Sequence, residues 1–300
     1  MTKEFSFNYR EAFSRNIGWV TREEQAILRK KRIAIAGMGG VGGIHLLTLA
    51  RLGIGAFNIA DLDIFELPNF NRQAGAMLST LGKPKAQTLA KMALDINPEI
   101  DIRVFSEGVK QGEASEFLKE ADLYVDGIDY FEYGIREEIF STCARLKIPA
   151  TTVGPMGMSA ALLNFIPGKM TFEEYFRLDG QSDEEKGIRF LLGLAPGRLH
   201  FDYLVDPTAV NLAEKRGPST PMACQICAGL AATEALKILL NRGKVLAAPW
   251  GLQFDAYRNK MVRTWRPMGN RNPIQQLLIL IARGRLERFK KIGARTVDGG

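Results

Sequence analysis

The chain has 300 residues, 46 % of them apolar and 24 % charged, with a net charge of +7. That length suits one large α/β domain or one domain with decorations, and the apolar share excludes a disordered chain. Residues 271–298 carry seven bases against Glu287 and Asp298, a net +5, so the basicity is a property of the tail and argues weakly for nucleic acid binding by the body. The opening MTKEFSFNYREAF lacks the apolar core of a secretory signal. The apolar run LLILIA is too short to span a bilayer. Three cysteines fit a reducing compartment without a disulfide framework. The expectation is a cytoplasmic protein with no membrane span.

The first 31 residues predict a helical arm ending in RKKR. RIAIA is a short buried strand, GMGGVGG a glycine turn, and IHLLTLARLG a helix closed by glycine. AFNIAD is a second strand ending in acid. KAQTLAKMALDINPEI has apolar spacing near 3.6 and stops at Asn-Pro. DIRVF is a third strand, GEASEFLKEA a short helix, DLYVDGID a fourth strand with its loop, YGIREEIFSTCARLK a helix and IPATTVG a fifth strand. This alternation predicts an α/β fold, a Rossmann-like, mostly parallel sheet with helices on both faces.

After residue 154 the pattern changes. GMSAALLNFIPG predicts a strand, and residues 168–218 show no clear period and many loop residues. An irregular, substrate-covering insertion is expected there. STPMACQICAGLAATEALKILLNRG predicts a long helix and GLQFDAYRNKMVRTW a hairpin, giving antiparallel C-terminal strands. NPIQQLLILIARGRLERFKK predicts a basic amphipathic helix with Ile274, Leu277, Leu278 and Ile281 on its apolar side. Such a helix packs on the body or touches a membrane surface or acidic partner. The boundaries are an arm at 1–31, a nucleotide-binding core at 32–167, the insertion at 168–218, the end of the core at 219–267 and a basic tail at 268–300.

Gly37, Gly39, Gly40 and Gly42 follow a strand and open a helix, a G-x-G-x-x-G turn that lets backbone approach phosphate at a helix N-terminus. Asp61, 19 residues past Gly42, ends the second strand, where an acid can bond a ribose. These features alone leave NAD, FAD and ATP open, together with a merely structural turn. The stretch NFNRQ, residues 69–73, decides between them. Hydride transfer needs no extra cation over the phosphates, whereas cleaving ATP between its α and β phosphates develops charge that a guanidinium can clamp. Arg72 lies one loop from the glycine turn, and Asn69 and Gln73 add amide hydrogen bonds. Lys85 opens the next helix, and Arg72 and Lys85 are expected on a solvent-facing rim. Asp126 and Asp129 end the fourth strand, where a carboxylate can hold Mg²⁺ on phosphates.

Together GMGGVG, the Asp61/Asp63 pair, NFNRQ, GKPK, INPEI and the VDGID loop resemble the ThiF/MoeB/HesA superfamily, relatives of ubiquitin-activating enzymes. The resemblance covers roughly residues 10–165 and 216–245. It implies adenylation of a carboxylate by ATP, usually the C-terminus of a ubiquitin-like or sulfur-carrier protein or a peptide. By the same resemblance Asp61 and its neighbour Asp63 belong to the nucleotide site, with Asp61 on the ribose. Asn69, Arg72 and Lys85 contact phosphates, Gln73 adds an amide, and Asp129 organises Mg²⁺. Phe13-Ser14-Arg15-Asn16 resembles the family arm whose arginine reaches the ATP of the other subunit, which implies a homodimer and a catalytic Arg15 acting across it.

Departures are specific. Tyr130 stands where family loops often carry asparagine after the aspartate, which leaves Asp126 in contention with Asp129. One C-x-x-C pair, Cys224 and Cys227, replaces the usual two, and two thiolates cannot complete a tetrahedral site, so no structural zinc is expected. Two cysteines three residues apart on an apolar helix are expected to pack in the core; the alternative is a reactive thiol, for which Cys224, near a helix start, is the better candidate, and Cys143 is expected to be buried. His45 is expected in the core or on the phosphate side, and His200 in the insertion. Competing readings are adenylation of a small-molecule or tRNA-borne carboxylate, a nicotinamide oxidoreductase that leaves Arg72 and Lys85 without a role, and a non-catalytic partner subunit that leaves a complete ATP site without a purpose.

Overall fold

The structure is a computed structural model that describes residues 6–206, 209–210 and 217–284. Eight strands form one sheet in the order β3-β2-β1-β4-β5-β6-β7-β8. They are β1 (Arg32–Ala36), β2 (Ala56–Ala60), β3 (Asp101–Phe105), β4 (Leu123–Asp126), β5 (Ala150–Met156), β6 (Ser159–Phe165), β7 (Trp250–Asp255) and β8 (Lys260–Trp265). The first five are parallel, and β5 to β8 pair antiparallel. The fold class expected from the sequence is observed, down to the two-sided covering. Ile33 and Ile35 of β1 pack on one face, and Ala34 and Ala36 on the other. A parallel strand buried on both faces needs such a continuous apolar run.

One face is covered by α3 (Gly42–Arg51), α4 (Lys85–Ile96) and α9 (Pro221–Leu239), with Leu46, Leu49, Leu89, Cys227 and Ala231 in its core. The other is covered by α5 (Ala114–Phe117), α6 (Tyr133–Leu146), α7 (Phe172–Phe176) and α8 (Asp183–Leu194). There Phe140 stacks on Phe172 at 4.4 Å, and Phe176 meets Phe190 at 5.0 Å. By length and composition α9 could cross a bilayer. Its Ala223, Cys224, Cys227, Ala228, Ala231 and Ala235 are nonetheless buried against the protein.

The expected irregular insertion is partly a packed unit. Thr171 and Glu174 form a capping box that starts α7, and Ser182 accepts from the Glu185 amide to start α8. Three acids in the first turn of α8 suit the positive end of its dipole. Residues 207–208 and 211–216 of the expected covering loop lie outside the described residues.

The arm folds back on its own domain through α1 (Tyr9–Ala12) and α2 (Arg22–Leu28). The Tyr9 hydroxyl donates to the Gly53 carbonyl at 2.6 Å, Phe13 is buried, and Asn16 donates to the Leu52 carbonyl at 3.2 Å. Phe13 therefore needs no neighbouring subunit to cover it, whereas Trp19 is 86 % exposed. The tail helix, α10, spans 273–284 among the described residues. It docks on α8 through Ile279, buried with Ile188 and Leu192, and Arg283 donates to Glu185 at 2.7 Å. Of the four apolar residues expected to face inward, Leu278 packs, while Ile274, Leu277 and Ile281 are exposed. The basic run after residue 284 lies outside the described residues.

Candidate active site

The glycine turn leaves β1 and enters α3 at the carboxyl edge of the sheet, beside the loop after β4. Three glycines meet there. Gly37 has φ +85°, and a Cβ on it would stand 2.2 Å from the Gly127 carbonyl oxygen. A Cβ on Gly42 would stand 1.7 Å from the Gly37 oxygen, and one on Gly127 2.6 Å from that same oxygen. These positions exclude any side chain. Gly39 and Gly40 serve differently, because a Cβ on either would meet side chains rather than backbone. Gly39 would meet Gln73 Nε2 at 3.7 Å, and Gly40 would meet Cys224 Sγ at 3.2 Å and Arg72 Cγ at 3.5 Å. NFNRQ therefore lies against the glycine turn.

Within that loop the turn Leu67–Asn69 fixes the entry. Asn69 is buried, and its Oδ1 accepts from the Glu66 amide at 2.9 Å, so its amide nitrogen is the group that can meet a ligand. Arg72 is half-buried and donates to the Pro68 carbonyl and to Asn71 Oδ1, each at 3.0 Å. Among the described residues no carboxylate pairs with it. Gln73 is buried, and its Oε1 has no partner among the described residues. A buried amide oxygen without a partner costs free energy unless something supplies a donor.

Asp61 accepts from the Met38 amide of the turn at 2.6 Å and from the Asp63 amide at 2.8 Å. Burial pushes its carboxyl above the usual range, while these amides and the Lys85 charge oppose the shift. Lys85, the first residue of α4, donates from Nζ to Asp63 at 2.9 Å. Its side chain is 8 % exposed, so it does not stand on the solvent rim expected from the sequence; only its end reaches the site. A long aliphatic stem lets a lysine bury its body and still present its charge.

The loop after β4 separates the two aspartates. Asp126 is buried and ion-paired to Arg136 of α6 at 3.0 Å, and it also accepts from Thr152 at 2.9 Å. Asp126 is thus a structural member of the core, committed to its partners. Asp129 is exposed, and among the described residues its carboxylate accepts only from the Phe131 amide, at 3.1 Å. The Arg136–Asp126 pair has no sequence signal beyond two opposite charges ten residues apart.

A model of the ThiF family matches residues 13–276. The chain belongs to the ThiF family. Similar proteins include a tRNA threonylcarbamoyladenosine dehydratase of Haemophilus influenzae, 32 % identical over 151 residues, which are 50 % of this chain and 57 % of that one. A probable molybdopterin-synthase adenylyltransferase of Porphyra purpurea is 34 % identical over 125 residues, 42 % of this chain and 32 % of that one. The chain therefore spans little more than half the length of one relative and about a third of the other. Among solved structures, Escherichia coli MccB with MccA-N7isoASN superposes with a TM-score of 0.65 at 20 % identity, covering 89 % of this chain and 74 % of that one. Escherichia coli tRNA N6-threonylcarbamoyladenosine dehydratase superposes with a TM-score of 0.58 at 21 % identity, covering 77 % and 95 %. These likenesses show a shared fold.

The ThiF-family chain brings Gly37–Gly42, Asp61, Asp63, Asn69, Arg72, Gln73 and Lys85 to one edge, with Asp129 on the adjoining loop. It does not bring Arg15 there. Arg15 is exposed, on the turn Ser14–Asn16, and the arm is tied to Leu52 and Gly53 at the far end of α3. A ten-residue helix is about 15 Å long, so Arg15 sits at the opposite edge from its own glycine turn. Cys224 packs in the core, as expected of a cysteine pair on an apolar helix, and is not the exposed thiol of the alternative reading. It is fully buried beneath Gly40, and burial pushes its thiol above the ordinary value despite the Arg72 charge. Cys143 and Cys227 are likewise buried, their thiols pushed up by burial. His45, inside α3, is buried with neither ring nitrogen partnered among the described residues, and burial lowers its pKa to about 4. His200 lies 3.4 Å from Gln253 Nε2 and is also lowered to about 4 by burial.

Proposed function

We propose that this ThiF-family protein is an ATP-dependent adenylyltransferase that activates a carboxylate as an acyl-adenylate. A carboxylate oxygen attacks the α phosphorus, the bond from that phosphorus to the bridging oxygen breaks, and pyrophosphate leaves with the electron pair. What supports the reading is the NFNRQ loop beside Gly39 and Gly40, with the Arg72 stem and the Gln73 amide nitrogen next to those glycines, so that a cation and an amide donor are available to phosphates bound at the turn. A nicotinamide site has no use for that cation. Catalysis of this type is positioning and charge stabilisation with little covalent work for the protein. Asp61 orients the ribose, Asn69, Arg72 and Lys85 hold phosphates, and Asp63 steadies Lys85.

Mg²⁺ fits the donor set. Among the described residues no group of three or more His, Cys, Asp or Glu could cage a metal alone. Mg²⁺ is commonly held by one or two carboxylates together with substrate phosphates. Asp129 would hold it, and bound Mg²⁺ would neutralise charge on the departing pyrophosphate. A structural zinc is not part of the proposal, because Cys224 and Cys227 are both committed to the apolar core.

The carboxylate we assign is the C-terminus of a ubiquitin-like carrier protein or a peptide, in a reducing cytoplasm. A tRNA-borne carboxylate is the second reading, favoured by the relatives of 32–34 % identity whose names are tRNA threonylcarbamoyladenosine dehydratase. A homodimer completes the site in this proposal, since Arg15 lies too far from its own turn to act except on a neighbour. ATP–pyrophosphate exchange, run against carrier proteins, peptides and tRNA, tests the reaction and separates the substrates. Calorimetry that finds NADH bound and ATP ignored overturns it.

A further inference from the structure

The residue after Asp129 is a tyrosine, and its hydroxyl reaches out of the loop to α8. Tyr130 donates to the Gly187 carbonyl at 2.6 Å. Glycine is unfavourable inside a helix, and Gly187 sits in the second turn of α8. Space explains it, because a Cβ there would stand 3.2 Å from the Tyr133 hydroxyl and 3.8 Å from that of Tyr130. One turn on, Phe190 covers the Arg136 guanidinium at 4.7 Å and meets the Tyr130 ring at 5.5 Å. Beside them Lys186 pairs with Glu137 at 2.7 Å. Residues 186, 187 and 190 form one face of α8, pressed on the start of α6 and its preceding loop.

Arg136 extends that contact to the backbone that carries the metal aspartate. Its Nη2 donates to the Ile128 carbonyl at 2.6 Å and the Asp129 carbonyl at 2.9 Å, and its Nη1 to the Tyr130 carbonyl at 3.3 Å. Its Nε is held by Asp126. The loop is therefore tied from beneath by Arg136 and from outside by α8, and the Asp129 carboxylate is left exposed above it.

We propose that α8 is a clamp on the metal-binding loop, and that Tyr130 and Phe190 are positioning residues that hold Asp129 in register with the phosphate turn. The proposal rests on the adenylation reading given above. It makes α8, a helix outside the strand–helix repeats that build the glycine turn, part of the machinery that presents Mg²⁺ to ATP. Arg136 transmits the hold, and Gly187 is the notch that lets Tyr130 in.

Tyr130→Phe removes one hydroxyl and keeps the ring; Phe190→Leu removes the cover over Arg136. Each variant and the parent are followed by hydrogen exchange at the 127–132 amides, by Mn²⁺ binding in the presence of a non-hydrolysable ATP analogue using electron paramagnetic resonance, and by exchange activity across Mg²⁺ concentrations. The expected result for Tyr130→Phe is about tenfold faster exchange at those amides alone and about five- to tenfold weaker Mn²⁺ binding. The Mg²⁺ needed for half activity should rise with it, while kcat at saturating Mg²⁺ stays near that of the parent. Unchanged loop protection, or unchanged Mn²⁺ affinity, in a folded Tyr130→Phe protein overturns the clamp. Should Phe190→Leu fail to fold, Tyr130→Phe decides alone. A parent protein that takes up no Mn²⁺ with the analogue fails the adenylation reading itself, a result distinct from a variant that matches a binding parent.

Discussion

Replacing Lys85 with methionine keeps a long stem and deletes the charge. The stem is buried and Lys85 opens α4, so most of the packing should survive. Its partner Asp63 is 57 % exposed and stays hydrated when left alone. An ion pair with one such exposed end contributes at most about 1 kcal/mol to folding. Stability should therefore fall by about 1 kcal/mol or less in Lys85→Met. Lys85→Ala also removes three buried methylenes and should lose about 2 kcal/mol more. Catalysis responds on another scale. A preorganised cation aimed at charge developing on pyrophosphate is worth about 3–4 kcal/mol, or roughly 10²–10³ in rate. Urea unfolding and ATP–pyrophosphate exchange, run on the same preparations, separate the two quantities. An exchange rate for folded Lys85→Met within about threefold of the parent refutes the assigned role.

Arg72→Ala should cut exchange by a similar ~10²–10³ with little change in the unfolding midpoint, because the guanidinium bonds only to its own loop. Mixing Arg15→Ala with Arg72→Ala protein, after verified subunit exchange, should restore partial activity, since one site of each heterodimer is then intact; no restoration shows that Arg15 does not act across the interface. His45 titrates near 6.5 when unfolded and near 4 when native, so the unfolded chain takes up its proton first as pH falls. Its contribution is fully present above about pH 6.5 and declines towards pH 4, by up to about 3 kcal/mol. His45→Leu should flatten that slope in urea titrations across this range, and an unchanged slope counts against a buried neutral ring. None of the three cysteines should react promptly with a thiol reagent in the native protein, and all three should react on unfolding; prompt native labelling of Cys224 contradicts its burial.

Much of this architecture could be read from local signals. The four strand–helix repeats that lead to β5, the strand β6, the long α9 and the final hairpin each carry their own period and punctuation. The insertion was misread because Gly187 and Gly193 interrupt α8 and its apolar residues face a cluster of aromatics rather than a simple stripe. The helix-start signal was present all the same, in Ser182 followed by three acids. The depth of Lys85 was not legible, since it lies at a helix start, where exposure is the ordinary expectation; its tertiary surroundings, with Asp63 as its ion partner, decide it. The choice between Asp126 and Asp129 likewise depends on Arg136, a partner that only the folded sheet brings beneath the loop.

The junction of Gly37, Gly42 and Gly127 gives two distant stretches of chain a single mutational fate. A side chain at Gly127 would push on the turn that begins 90 residues earlier, so a lesion in one loop is also a lesion in the other. With backbone on backbone, neither loop can yield by rotating a rotamer, and the nucleotide meets a surface whose ordering was completed when the sheet closed. The association rate of ATP should then be limited by diffusion and desolvation rather than by rearrangement of these loops. Variation that tunes the site is confined to what leans on this block from outside, because the block itself admits no intermediate between glycine and rupture.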